Sequence, residues 1–176
     1  MKRTSTWFIS NLLKGPPFPD ACYLETCQGL INFCIRAIKF DDTETTKECL
    51  WSIFYFAIAH KEDDIQAQKR CKFLASHESF YKSILNAYST STEKGDQLLK
   101  PIIEIILFCT FQLDHSANDL LKYGICNMLL EGLNSVKEIQ EKSCRILLNM
   151  FAERDTAKFP KSILERDDLV NKLMSM

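Results

Sequence analysis

Apolar residues recur along this chain every three to four positions, in segments separated by short polar or proline-containing stretches. This spacing places the apolar side chains on one face of an α-helix. The segment from Leu98 to Gln112 is apolar on nearly every side, so we expect that helix to be buried. The pattern predicts helices at 2–13, 20–40, 44–60, 65–74, 78–88, 98–112, 116–123, 125–133, 136–152, 156–165 and 167–174.

Polar residues and helix breakers mark the ends of these segments. The run 15–19 contains three prolines and breaks the chain after the first helix. Asp20, Thr43 and Ser135 are residue types that cap helix N-termini, and Gly124 is placed to end the helix before it. The nine residues from Ser89 to Gln97 contain no apolar side chain, so we expect a loop there.

The composition agrees with an all-α fold. The chain has 176 residues, five glycines and only two valines, whereas sheets favour β-branched residues and their turns favour glycine. The net charge is −1, which argues against binding of nucleic acid or an anionic membrane by the surface as a whole. No apolar run is long enough to span a bilayer. We therefore expect neither a nucleic acid nor a membrane partner.

Eight cysteines would suggest disulfides in a secreted chain. The first residues do not resemble a secretory leader, no C-x-x-C pair occurs, and most cysteines lie within apolar helical patterns. Cysteine in such positions behaves as a small buried apolar residue. We expect reduced thiols, no bound metal or cofactor, and a protein of the cytoplasm and nucleus.

Catalytic motifs are not evident in the sequence. His60, His77 and His115 are far apart, and none lies in a nucleophile motif. The five glycines are scattered and form no phosphate-binding loop. We predict that the protein is not an enzyme. The alternative, a metal-dependent enzyme built on a helical bundle, requires histidine, cysteine and acidic side chains to converge.

The order of helix lengths repeats along the chain as short, medium and long. Trp7, Trp51, Glu104 and Arg145 hold comparable places in successive long helices and are 44, 53 and 41 residues apart. Without the polar stretch 89–97, the spacing of 53 becomes 44. This period is typical of armadillo and HEAT repeats, and three helices per unit favour armadillo. The predicted units are 1–14, 15–61, 62–114 with an insertion at 89–97, 115–154 and 155–176.

The same place in these helices carries pairs of residues four apart. The pairs are Trp7 with Asn11, Trp51 with Tyr55, and Arg145 with Asn149. Residues at this spacing are neighbours on one helix face, so stacked helices would align the pairs into a ladder. Asparagine can donate to and accept from a peptide backbone, and indoles can flank a lysine or arginine stem. The alternative is that both tryptophans are core residues.

These pairs lie in segments that resemble the importin alpha (karyopherin alpha) family. The stretch Thr6-Trp7-Phe8-Ile9-Ser10-Asn11-Leu12, with its exit loop Lys14-Gly15-Pro16-Pro17-Phe18, is similar to a middle repeat of that family. The stretch Glu48-Cys49-Leu50-Trp51-Ser52-Ile53-Phe54-Tyr55 is similar to the next repeat. The resemblance is specific over about 4–70 and weaker beyond. It implies a right-handed superhelical armadillo solenoid, here of about three to four repeats with open ends.

The resemblance also implies a function and a partner. The family carries nuclear-import cargo by binding basic localisation signals in a groove lined by Trp–Asn pairs. It implies that a peptide-binding groove here is lined by Trp7, Asn11, Glu48, Trp51, Tyr55, Asp114, Arg145 and Asn149. In this family a basic segment ahead of the repeats binds importin beta; this chain starts inside a repeat, so we expect no importin beta binding through it.

Four residues depart from the family pattern. Glu104 and Phe108 replace the arginine and asparagine of the third pair, Arg145 replaces a tryptophan, and Lys142 replaces an acid. Two cations in that slot should repel basic cargo. We therefore expect a Lys-rich peptide to bind at the Trp7–Trp51 end and not at the Arg145 end. The alternative is an armadillo scaffold that has lost cargo binding and holds another protein.

Overall fold

The computed structural model describes residues 2–15, 24–38, 42–58, 64–77, 79–90, 96–113, 117–152 and 165–175. These residues form helices and turns, and they contain no β-strand, which confirms the all-α prediction. The described helices are α1 (Lys2–Lys14), α2 (Leu24–Ala37), α3 (Thr43–Ile58), α4 (Asp64–Ser76), α5 (Phe80–Thr90), α6 (Asp96–Gln112), α7 (Ala117–Lys122), α8 (Ile125–Leu133), α9 (Lys137–Phe151) and α10 (Asp167–Met174).

The long helices pack in a row. Helix α1 packs against α3, α3 against α6, and α6 against α9. We call these four helices the front row. A second layer lies behind it, in which α2 packs on α3, α4 packs on both α3 and α6, and α8 packs on both α6 and α9. Helix α5 bridges α4, α6 and α8, and α10 packs on α8.

Contacts between helices join residues that are about one predicted repeat apart. Glu104 on α6 and Lys142 on α9 are bonded across 38 residues, and Thr110 and Asn149 across 39. The spacing of the long helices placed Arg145, 41 residues after Glu104, at the equivalent position, so the register of α6 and α9 differs from that prediction by about three residues. The division into repeat units and the right-handed superhelix remain predictions.

The apolar core runs through both layers. Helix α6 lies at its centre, with Ile102, Ile103, Ile105 and Ile106 fully buried, which confirms the expectation for that segment. Each such side chain stabilises the fold by about 1.5–3 kcal/mol relative to exposure. The described cysteines are free thiols, and five of the six are buried.

The predicted helix cap at Thr43 is wrong. Helix α3 begins at Thr43, and the cap is Asp42, whose carboxylate accepts from the backbone N–H of Glu44 at 3.2 Å and from the hydroxyl of Thr45. These donors hold the pKa of Asp42 below its usual value, the Thr45 hydroxyl most strongly. Helix α9 begins at Lys137, one residue later than the prediction.

Both ends of the stretch 89–97, where a polar loop is expected, are helical. Helix α5 continues to Thr90, and Ser89 donates its hydroxyl to the carbonyl oxygen of Asn86 at 3.0 Å. Helix α6 begins at Asp96. Serine bonded back to its own helix satisfies its hydroxyl and does not end the helix. Residues 91–95, Asp20 and the predicted helix at 156–165, apart from Glu165, lie outside the described residues.

Two glycines are required by local geometry. Gly124 separates α7 from α8 with φ of 85°, a left-handed conformation that favours glycine, as its predicted role requires. Gly132 lies where α8 crosses α9, and a Cβ atom there would be 2.2 Å from Oγ of Ser143. This close approach fixes the packing of α8 on the last helix of the front row. No described helix combines the length and the hydropathy that crossing a bilayer requires.

Candidate functional site

The solvent-facing residues of the front row form one surface. On α3 the half-exposed positions recur at helical spacing through Glu44, Glu48, Trp51, Tyr55 and Ile58. Because α4 lies behind both α3 and α6, and α8 behind both α6 and α9, the open sides of these helices point the same way. We call this surface the front face; on the last two helices it comprises Lys100, Glu104, Leu107, Phe108, Phe111, Glu138, Glu141, Lys142, Arg145, Leu148 and Asn149.

Helices α6 and α9 run parallel across the front face. Lys100 is 3.1 Å from Glu138 at their beginnings, and Glu104 pairs with Lys142 one turn further along both helices. Near their ends, Asn149 donates to the hydroxyl of Thr110 at 3.2 Å. These paired charges therefore lie nearer the beginnings of both helices than Phe111 and Leu148, which lie near the last turns.

Trp7 and Asn11 lie on the exposed side of α1. Trp7 is 56% exposed, so the alternative that it is a core residue is wrong. Asn11 donates from Nδ2 to the backbone carbonyl oxygen of Trp7 at 2.8 Å, so its amide is bonded within α1. Arg3 pairs with Glu44 at 3.7 Å, which places the first turns of α1 and α3 side by side. Trp7 and Glu48 each follow one turn later on these two helices.

Trp51 lies in an aromatic cluster on α3. Its ring stacks on Tyr55 with centroids 5.8 Å apart and an angle of 22°, and it meets Phe54 edge-on at 5.6 Å. All three side chains are half-buried, so the indole is neither a full core residue nor freely exposed. Burial and then the charge of Glu48 raise the pKa of Tyr55. The hydroxyl of Tyr55 therefore stays neutral and can donate a hydrogen bond.

Most charges of the front face are paired with one another. Lys142 lies 2.5 Å from Glu104 and 2.7 Å from Glu138, and Glu138 also accepts from Lys100. Burial alone would lower the pKa of Lys142, but its hydrogen bonds to the two carboxylates outweigh burial and raise it. The same hydrogen bond from Lys142 is the main cause that lowers the pKa of Glu138. Lys142 therefore stays protonated, and its positive charge is balanced by these two carboxylates.

Two charged residues of the front face, Glu48 and Arg145, are not part of these ion pairs. Within the described part of the chain, neither Glu48 nor Arg145 has an ion-pair partner. Glu48 belongs to α3 and Arg145 to α9, so α6 lies between them. The front face also carries two strongly exposed apolar side chains near the last turns of α6 and α9, Phe111 at 72% and Leu148 at 67%.

The structure brings several predicted site residues onto one face. Glu48, Trp51 and Tyr55 share the open side of α3, and Arg145 and Asn149 share that of α9. Asp114 lies outside the described residues. The predictions missed Phe111 and Leu148, although Phe111 follows Glu104 by two helical turns and thus shares its face. The pairing of Lys142 with Glu104 was also missed, because it depends on the register between helices 38 residues apart.

A cavity of about 390 Å³ lies away from the front face, between α5, α8 and α10. Its charged groups bind one another: Arg166 pairs with Asp168 at 2.6 Å, and Tyr88 donates to Glu131. The hydrogen bond from Arg166 holds the pKa of Asp168 at about 2. These four groups line the cavity and are bonded to one another in pairs.

Two buried thiols, on α3 and α6, have raised pKa values. Donation of a hydrogen bond to Cys34, together with burial, raises the pKa of Cys49, and donation to Cys71 with burial does the same for Cys109. Both thiols therefore stay protonated at neutral pH, unlike an activated nucleophile. His77 contacts the ring of Phe73 at 5.0 Å. In the ranges that the structure describes, no three His, Cys, Asp or Glu side chains are placed to hold a metal ion.

Comparison with known proteins finds similarity over one short part of the chain. It is 38% identical over 55 residues to importin subunit alpha-9 of Arabidopsis thaliana, and 36% identical over 55 residues to importin subunit alpha-2 of Oryza sativa subsp. japonica. Each match covers 31% of this chain, and 11% and 10% of the two relatives. No family model and no solved structure matches. Together with the all-helical fold, this partial similarity indicates an armadillo-type relationship to importin alpha.

Proposed function

We propose that the front face binds a basic peptide segment of other proteins, at the end formed by α1 and α3, as an adaptor of the importin alpha type. The proposed role is recognition of nuclear localisation signals for import of cargo from the cytoplasm into the nucleus. The relatives are named as importin subunits, which supports an adaptor role and not an enzymatic one.

The observation that carries this proposal is the group of Trp7, Glu48, Trp51 and Tyr55. A lysine or arginine stem placed over these rings gains about 0.5–2 kcal/mol from the cation–π attraction. Glu48 has no ion-pair partner in the described part of the chain, so it is available to bind the charged tip. The neutral hydroxyl of Tyr55 can donate to a peptide carbonyl oxygen.

The proposal places basic cargo only at the end of the front face formed by α1 and α3. At the other end Arg145 is exposed and cationic, and the amide of Asn149 already donates to Thr110. A second lysine of the cargo would meet repulsion from Arg145 and receive no carboxylate, because Glu104 and Glu138 are bonded to Lys142. Binding through a single slot should be weak, since it gains nothing from further slots.

A second candidate function is an armadillo scaffold that has lost the binding of basic cargo and holds another protein. The specific observation in its favour is the ion pairing on α6 and α9, which leaves that half of the front face without free carboxylates. The two functions differ in whether a basic peptide binds at Trp7 and Trp51.

Isothermal titration with a lysine-rich signal peptide and an acidic control peptide tests the proposal. We expect weak binding of the lysine-rich peptide, and its loss in Trp7→Ala and in Trp51→Ala. Phe33→Ala is the matched control, because Phe33 is an exposed aromatic residue on α2 in the second layer. Equal affinity for the acidic peptide, or unchanged binding by both tryptophan variants, would favour the scaffold.

A further inference from the structure

The front face carries an ordered set of three features. Glu48, an acid without an ion-pair partner in the described chain, lies on α3 beside Trp51. Leu107 and Phe108 of α6 lie level with Arg145, because Glu104 pairs with Lys142 three residues earlier on each helix, and the exposed Phe111 and Leu148 continue this apolar surface toward the last turns. Arg145, which likewise has no ion-pair partner among the described residues, lies on α9 at the far end. The order across the surface is therefore anion, apolar, cation.

We propose that the front face recognises a peptide of the complementary order: one basic residue, an apolar middle segment, and one acidic residue. This inference rests on the proposed function and names the class of peptide that the same surface takes. A segment rich in lysine throughout is a poorer ligand. Only its first cation finds a free carboxylate, and its last one approaches Arg145.

The pairing of the remaining charges supports this order. Glu44 is bonded to Arg3 and Lys47, Glu104 to Lys142, Glu138 to Lys100 and Lys142, and Glu141 to Lys137. Glu104 and Glu138 are held in close pairs that a partner would have to break to use their carboxylates, whereas Glu48 and Arg145 require no such exchange. These two residues therefore set which charges a partner needs at its ends.

The exposed apolar side chains of α6 and α9 are the reason for an apolar middle segment in the peptide. Phe111 and Leu148 are among the most exposed large apolar side chains of the described structure, and Phe108 and Leu107 lie half-buried beside them on α6. Covering a side chain of this size with an apolar partner removes unfavourable contact with water. Lysine or serine in the middle of the peptide would not cover these apolar side chains.

Helix spacing gives the length of the middle segment. Adjacent packed helices lie about 8–10 Å apart, so α3 and α9, with α6 between them, are about 16–20 Å apart. An extended chain advances about 3.3 Å per residue. The basic and acidic residues of the peptide should therefore be about five or six residues apart.

Four fluorescein-labelled synthetic peptides of equal length, titrated by fluorescence anisotropy, test the inference. Three carry the same apolar middle and differ in their ends: lysine and glutamate, lysine twice, and glutamate twice. The fourth has lysine and glutamate around a serine-rich middle. We expect the first to bind best, about three- to fivefold over each peptide with a mismatched end and about tenfold over the serine-rich one.

The variant Arg145→Glu reverses one end of the surface and should reverse the preference, so that the peptide with two lysines becomes the best ligand. Arg145 is exposed, so its substitution leaves the core intact, and Lys137→Glu, an exposed cation at the start of α9, is the matched control that should not change the order. Phe111→Ser should weaken every peptide with an apolar middle.

Tighter binding of a lysine-rich peptide than of the mixed peptide, or an unchanged preference in Arg145→Glu, would overturn the inference. If Trp51→Ala then still removes the binding of basic peptides, the proposed function stands and only the peptide class is wrong. If none of the peptides binds to the wild-type protein, both the inference and the proposed function fail.

Discussion

Lys142 on α9 reaches across to Glu104 on α6 with Nζ 2.5 Å from Oε1, and the same ammonium lies 2.7 Å from Glu138. The sequence alone presents Lys142 as a cation that would repel basic cargo. The structure shows that its charge is balanced within the fold, so repulsion at this end of the front face falls to Arg145.

This network should contribute measurably to stability. Lys142→Met removes an ammonium that is 23% exposed and leaves two carboxylates without it, so we expect a loss of about 1–2 kcal/mol in the free energy of unfolding at pH 7. Urea denaturation measures the change. Lys137→Met, at a highly exposed pair 4.0 Å long, is the control and should change stability by less than about 0.5 kcal/mol.

The same network predicts a pH dependence. The pKa of Glu138 is lowered in the folded state, so its contribution to stability is present above the unfolded pKa and is lost as the pH falls through the folded one. The stability difference between wild type and Lys142→Met should therefore shrink between pH 7 and pH 3. A difference that stays constant over this range would show that the pair does not act through its charges.

Gly132→Ala should destabilise the protein by about 1–3 kcal/mol, because its Cβ would lie 2.2 Å from Oγ of Ser143 and force α8 away from α9. Gly29→Ala on α2 is the matched control. A Cβ there meets nothing within 4 Å, so the better helix propensity of alanine should stabilise by about 0.5–1 kcal/mol.

Thermal or urea unfolding of both glycine variants measures the expected loss of stability in one and the expected gain in the other. Adding Ser143→Ala to Gly132→Ala removes the clashing hydroxyl and should recover part of the loss. No recovery in the double variant would mean that the close approach of the two helices is not what requires glycine.

Arg70 joins the second layer to the end of α3. Its side chain is buried, and Nε donates to the carbonyl oxygen of Ala57 in the last turn of α3 at 3.2 Å. Arg70→Met should lower the free energy of unfolding by about 1.5–3 kcal/mol, because a buried charged donor to a helix C-terminus is lost. Lys69→Met, at the exposed neighbouring position, should leave the urea midpoint nearly unchanged.

The sequence predicted what depends on local pattern. The bounds of α8 and α10 and the burial of α6 follow from apolar spacing, and Gly124 has the conformation that its place after a helix requires. The cap expected at Thr43 failed because Asp42, one residue earlier, offers two carboxylate oxygens where Thr43 offers one hydroxyl.

Relations between helices could not be predicted in the same way. The sequence places Trp51 and Tyr55 four apart, and this alone predicts their shared face. The bond between Glu104 and Lys142 and the exposure of Phe111 depend on the register and packing of α6 and α9, which no local pattern contains. The electrostatic character of the front face therefore emerged only from the structure.

The two tryptophans of the chain are Trp7 and Trp51, so intrinsic fluorescence observes the proposed site directly. A titration of Trp7→Phe and Trp51→Phe with a lysine-containing peptide, each variant retaining one indole, tests the central claim. We predict that the emission of both remaining indoles changes and saturates at the same peptide concentration, and that an acidic peptide changes neither. Saturable binding of the peptide by calorimetry with no change in either emission would contradict the claim, because the peptide would then bind away from Trp7 and Trp51.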